Sequence, residues 1–126
     1  RHTRYPLVTG VQTCALPISE IYCFDIDGTL CTEENCNLED AQPIVERIAI
    51  VNRLHSKGAK IYLMTARGML GNSNNQAQAD QSMRTFTENQ LKEWGVQYDQ
   101  LFFGKPRAAY YIDDKAWNDK DFFRQF

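Results

Sequence analysis

Two short apolar runs, "EIYCFDI" beginning at Glu20 and "AKIYLMT" ending at Thr65, bracket a stretch with helical periodicity, and this constrains the fold most. Each run is rich in β-branched and aromatic residues and lacks the polar alternation of a half-exposed strand, so each reads as a buried strand. Between them Ile44, Ile48, Val51 and Leu54 recur along one helical face. Asp40 is expected to cap that helix, Pro43 to occupy its first turn and Gly58 to end it. A second helix is marked by Met83, Phe86, Gln90, Leu91 and Trp94 and closed by Gly95. "YDQLFFG" is expected as a third strand and "AAYYIDD" as a fourth, with a short aromatic helix "DFFRQF" at the end. Strand and helix in alternation predict an α/β fold: a small Rossmann-like parallel sheet flanked by helices. Ligands of such sheets bind beyond the carboxyl ends of the strands.

The chain has 126 residues, enough for one domain. A formal net charge of -2 gives no basic excess for nucleic acid or an anionic membrane. No apolar run approaches the ~20 residues of a membrane span. The cysteines at 14, 23, 31 and 36 form no paired framework and are read as reduced thiols, implying a cytoplasmic protein. Val8 to Ile18, "VTGVQTCALPI", has neither helical nor strand periodicity and equals the translation of a sequencing-adapter oligonucleotide. Residues 1–19 are therefore expected to be a non-native or disordered leader, and 20–126 a single domain.

Chemistry-bearing side chains cluster at the predicted strand ends. Asp25 and Asp27 follow the first strand, Thr65 the second, and Asp113 and Asp114 the fourth. Residues i and i+2 of an extended chain project to one side. Gathering like charges costs free energy unless a cation or proton compensates them. A hard divalent ion with oxygen ligands, Mg²⁺, is the natural compensation. Gly28 allows a sharp turn, and Thr29 offers a hydroxyl and an N–H to an anion.

The segments "DIDGTL", "LMTAR", "GKP" and "YYIDD" resemble, in order, the four motifs of the haloacid dehalogenase-like (HAD) phosphohydrolases. The similarity covers about residues 20 to 117. Within that family the segments "TARGM", "LKEWGV", "FGKP" and "YIDDKA" look most like small members associated with capsule or polysaccharide biosynthesis. The resemblance implies that Asp25 attacks phosphorus to form an aspartyl phosphate and that Asp27 serves as general acid and then base. It implies that Thr65 hydrogen-bonds the phosphoryl group and that Lys105 balances its charge. Gly28, Thr29, Ala66 and Arg67 would contact substrate. Asp25, Asp27, Asp113 and Asp114 would hold Mg²⁺. Residues 31–42 and 66–79 are too few for a cap domain, so an open, capless site is expected. The loop Gly68 to Ala79, or a neighbouring subunit in a homo-oligomer, would then cover it. The implied substrate is a small phosphorylated metabolite such as a sugar phosphate. Two other classes share parts of the pattern: a phospho-accepting receiver module and a non-catalytic sugar-phosphate-binding scaffold. His55 is given no catalytic role, and Phe102, Phe103, Tyr110, Tyr111, Trp94 and Trp117 are expected in the core.

One spacing conflicts with the four-strand scheme. Only "KPRAA" separates Lys105 from the fourth apolar run, whereas a parallel crossover usually takes a dozen residues or more.

Overall fold

A computed structural model of the chain describes residues 20–33 and 37–126. The leader expected over residues 1–19 lies outside the described residues, as do Cys14 and Cys36. Three strands, β1 (Ile21–Phe24), β2 (Lys60–Thr65) and β3 (Gln100–Phe103), form a parallel sheet in the order β1-β2-β3. Helices α1 (Val45–Ser56) and α2 (Gln76–Glu93) connect them, and a short helix α3 (Asp119–Arg124) follows.

The register explains where the core sits. Phe24 pairs with Leu63, Leu63 with Leu101, and Thr65 with Phe103. Residues in register share a face, and this face is buried: Phe24, Ile61, Leu63, Leu101 and Phe103 form one cluster with Ile48 and Val51 of α1 and Leu91 of α2. Phe122 and Phe123 of α3 add ring contacts to Phe24, with centroids 5.6 and 5.9 Å away. The opposite face, carrying Ile21, Cys23, Tyr62, Met64 and Phe102, is half-buried or exposed among the described residues.

Helix α1 begins later than the sequence suggests. A proline disfavours the helical region for the residue before it, and Ala41 is already extended (φ -63°, ψ 136°). Asp40 therefore ends a separate one-turn 3₁₀ helix, Leu38–Asp40, capped by Asn37. Helix α2 begins earlier: Asn75 accepts a hydrogen bond from the Gln78 N–H at 3.0 Å, and Ala79 is fully buried. The segment Gly68 to Ala79, expected as one loop, thus ends in the first turn of a packed helix.

The expected fourth strand is absent. Residues 104–118 carry no strand, and Tyr110 and Ile112 are 81% and 95% exposed. The five residues from Lys105 to Ala109 are too few to carry the chain across the sheet to the far edge of β1. Tyr110, Tyr111, Trp117 and Phe102 accordingly lie outside the core, while Phe103 is buried within it. The direction of the third strand is parallel, as α2 is long enough to make that crossover.

Candidate active site

The segment after β1 turns tightly. The N–H groups of Thr29 and Leu30 both donate to the Ile26 carbonyl, at 3.1 and 2.8 Å, and Gly28 takes φ +84°, a conformation that favours glycine. The turn leaves the Asp25 and Asp27 carboxylates at the mouth of a cleft of about 670 Å³. Its walls include Thr32, Glu33, Asn37 and Leu38 from the segment after β1, Ala66 to Gly68 after β2, and Lys105, Arg107 and Tyr111 after β3. All of these follow the carboxyl ends of strands or belong to adjoining segments.

Each aspartate faces its own cation. Lys105 Nζ lies 3.4 Å from Asp25 Oδ1, and Thr29 Oγ1 donates to Asp25 Oδ2 at 3.2 Å. Lys105 is placed by the main chain: its N–H donates to the Thr65 carbonyl at 3.2 Å, which extends the β2–β3 ladder past Phe103. Its ammonium also sits 4.3 Å from the Tyr111 ring centroid, and the Tyr111 hydroxyl donates to the Pro106 carbonyl. Burial pushes the Asp25 carboxyl above its ordinary range, and Lys105 together with hydrogen bonds to Thr29 and the Ile26 N–H pulls it partly back.

Asp27 is held differently. Arg67 Nε donates to its Oδ2 and Nη2 to its Oδ1, both at 2.9 Å, a bidentate fork. Arg67 Nη1 donates to Thr87 Oγ1 of α2 at 3.2 Å, and the guanidinium carbon lies 5.9 Å from the Phe86 ring centroid. The Arg67 side chain is 1% exposed and that of Asp27 16%. Removing one partner of so dry a pair typically costs ~3–5 kcal/mol, because the other charge is left stranded. Cys31 Sγ donates to Asp27 Oδ1 at 3.5 Å, and desolvation together with the Asp27 charge pushes the Cys31 thiol up to about 12.

The expected anion donors are otherwise engaged. The Gly28 N–H donates to the Cys31 carbonyl at 2.9 Å, and the Thr29 N–H to Ile26 as above. Thr65 is fully buried, and its hydroxyl accepts from the Arg67 N–H at 3.0 Å. Ala66 lines the cleft directly. Arg67 reaches the cleft wall, but its guanidinium is spent on Asp27 and Thr87. His55 faces Asp99, 3.7 Å away, far along the chain from these groups.

The magnesium site expected from the sequence, with Asp25, Asp27, Asp113 and Asp114 as its residues, is not assembled. Asp113 and Asp114 are exposed and do not line the cleft; Asp114 pairs with Lys115 at 3.1 Å. Among the described residues no group of three or more His, Cys, Asp or Glu is placed to hold a metal ion. The cleft is lined by the carboxylates of Asp25, Asp27 and Glu33; Asp25 and Asp27 each already face a cation, and the three are not gathered to hold a metal ion, so this donor set does not fit a divalent ion as arranged. The physical reason is the missing fourth strand, which was to carry Asp113 to the edge of β1.

Cys31 and Thr87 were not among the residues anticipated. The strand register offered a signal for the Arg67 pairing, since Phe24 and Leu63 are partners and Asp27 and Arg67 overhang them by three and four residues. Nothing in the sequence singles out Thr87.

No protein-family model matches the chain, and no curated protein matches it. Among solved structures, a structural-genomics target from Vibrio cholerae is 26% identical with a TM-score of 0.77, covering 82% of this chain and 87% of that one. A chain of a Pnkp1/Rnl/Hen1 complex is 16% identical with a TM-score of 0.54; the match covers 88% of this chain but 36% of that one. A D,D-heptose 1,7-bisphosphate phosphatase from B. bronchiseptica, solved with magnesium and phosphate, is 14% identical over 77% of this chain and 54% of that one. Its TM-score of 0.47 is too low to carry weight. The first two likenesses agree with the α/β architecture of the described residues, and no helix among those residues is long and apolar enough to cross a membrane.

Proposed function

We propose that the chain is a phosphomonoester hydrolase that works through an aspartyl phosphate on Asp25 and acts on a small phosphorylated metabolite such as a sugar phosphate. The observation that carries this reading is the placement of Asp25. It stands at the carboxyl end of β1, at the mouth of an open cleft, with the Lys105 ammonium 3.4 Å away and a hydroxyl on its second oxygen. The HAD-like motifs around these residues support the same reading.

In the first half, an Asp25 carboxylate oxygen attacks phosphorus and the bond from phosphorus to the leaving oxygen breaks. A proton from Asp27 passes to that oxygen when it is a basic alkoxide. In the second half, water attacks phosphorus, the bond to the Asp25 oxygen breaks, and Asp27 accepts the water's proton. Lys105 offsets the negative charge that nucleophile and phosphoryl group bring together. The open mouth suits a small substrate that brings its own polar surface.

Turnover of 4-nitrophenyl phosphate by the wild type and by Asp25→Asn, each with added Mg²⁺ and with EDTA, tests the proposal. Many turnovers per wild-type molecule and none in Asp25→Asn are expected. Stoichiometric phosphorylation without release of phosphate would instead indicate a receiver module. Binding of sugar phosphates with no chemistry would indicate a scaffold. Turnover only with Mg²⁺ would show that the ion takes part, and its loss in Asp113→Asn or Asp114→Asn would show that those carboxylates come to the cleft.

A further inference from the structure

The two aspartates of the cleft are held by unlike partners. Asp25 meets a lysine, a single flexible point charge, and remains half-buried at the mouth. Asp27 meets a guanidinium that is itself immobilised: two of its nitrogens are on the carboxylate, the third is on Thr87, and Phe86 is beside it. Thr87 is fully exposed to protein and not at all to solvent, and it belongs to the middle of α2. The Arg67 main chain is tied down as well, through Thr65 Oγ1. Cys31 Sγ also donates to Asp27 Oδ1. An aspartate needed only for charge would not call for a fixed fork.

We propose that Arg67, anchored by Thr87, is a positioning residue for Asp27 that serves chiefly the second half of the reaction. This rests on the hydrolase reading above. Water attacking the aspartyl phosphate must lose a proton to a carboxylate oxygen at a defined place. The water oxygen forms the new bond to phosphorus, the phosphorus–Asp25 bond breaks and returns its electron pair to the Asp25 carboxylate, and the proton goes to Asp27. The Arg67 fork keeps that acceptor oriented. Lysine in its place supplies the charge but one rotatable donor group instead of a planar pair, so the carboxylate is free to turn. Valine in place of Thr87 keeps the shape of the side chain but removes the hydroxyl that holds Nη1.

Rapid mixing of the intact protein with 4-nitrophenyl phosphate, under the conditions in which the wild type turns over, separates the two halves. Nitrophenolate is a good leaving group and needs no proton, so phosphorylation of Asp25 survives loss of Asp27 alignment. For Arg67→Lys the expected result is a burst of nitrophenolate equal to the number of sites, followed by steady turnover at least about tenfold slower than wild type. Because the second half alone is slowed, kcat and KM should fall together, with kcat/KM within about threefold of wild type. Thr87→Val should show the same pattern to a smaller degree, and it carries the test if Arg67→Lys does not fold. A structural role for Arg67 would instead lower the burst amplitude and kcat/KM with KM unchanged or raised, and that result in both variants overturns the proposal. A wild type that releases no nitrophenolate would remove the hydrolase reading itself, and this inference with it.

Discussion

Cys31 couples the site to the stability of the fold in a way that can be measured. Its thiol is fully buried, and desolvation is the largest cause that pushes it up, followed by the nearby Asp27 charge and the hydrogen bond to it. Folding thus raises it from an ordinary 9.0 to about 12. A group whose folded value is raised contributes stability that is present below the unfolded value and lost as pH rises toward the folded one. Between those values the unfolded chain has released a proton that the native protein keeps, so stability falls by about 1.4 kcal/mol per pH unit. From pH 8 to pH 10 the loss through Cys31 is on the order of 1 kcal/mol. Cys31→Ala removes this linkage. The variant is expected to be less stable at pH 8 by roughly 1 kcal/mol, from lost packing, but to lose on the order of 1 kcal/mol less than wild type on going to pH 10. Urea unfolding followed by the fluorescence of Trp94 and Trp117 at both pH values gives the four free energies needed. Other groups that titrate in this window, Cys23 among them, are common to both proteins and cancel in the difference. Equal losses in wild type and variant would show that the Cys31 thiol is not held against Asp27 as described, and the reasoning about that contact would fail.

Two further outcomes are expected. Gly68 has φ +79°, and a Cβ there would fall 2.9 Å from Met83 Cγ and 3.0 Å from Ala79 Cα; Met83 can swing aside, but the helix backbone cannot. Gly68→Ala should therefore cost about 2–4 kcal/mol in urea unfolding, as backbone strain plus overpacking, whereas Gly58→Ala, also at positive φ but with open space around it, should cost less. At the cleft, Lys105→Met removes a cation that pulls the Asp25 carboxyl down against its burial. The nucleophile must be ionised, so the acidic limb of the kcat/KM profile should move to higher pH; a limb that stays in place would show that Asp25 does not set it.

What could be read from the sequence and what could not divide along a physical line. Period and composition determined the elements: the apolar runs at Ile21 and Ile61 are strands, the Ile48–Val51 face is a helix face turned to the core, and alternation makes the sheet parallel. These are local properties, set by how each residue sits in a helix or strand. The motif spellings placed Asp25 at a strand end for the same reason. The shifted starts of α1 and α2 are local matters of the proline and of capping; the larger failures are matters of long-range geometry. "AAYYIDD" has the composition of a strand, but a strand forms only where the chain can reach a partner edge, and the short link after Lys105 does not reach. Asp113 and Asp114 go with it, and so does the expected metal site they were to complete. Arg67 carries the same charge in any context; only the packing of α2 over the strand ends buries it and gives it Asp27 and Thr87 as partners. Sequence by itself determined which groups stand at the ends of the strands. Tertiary structure decided which of them meet, because burial and partner choice depend on where distant segments come to rest.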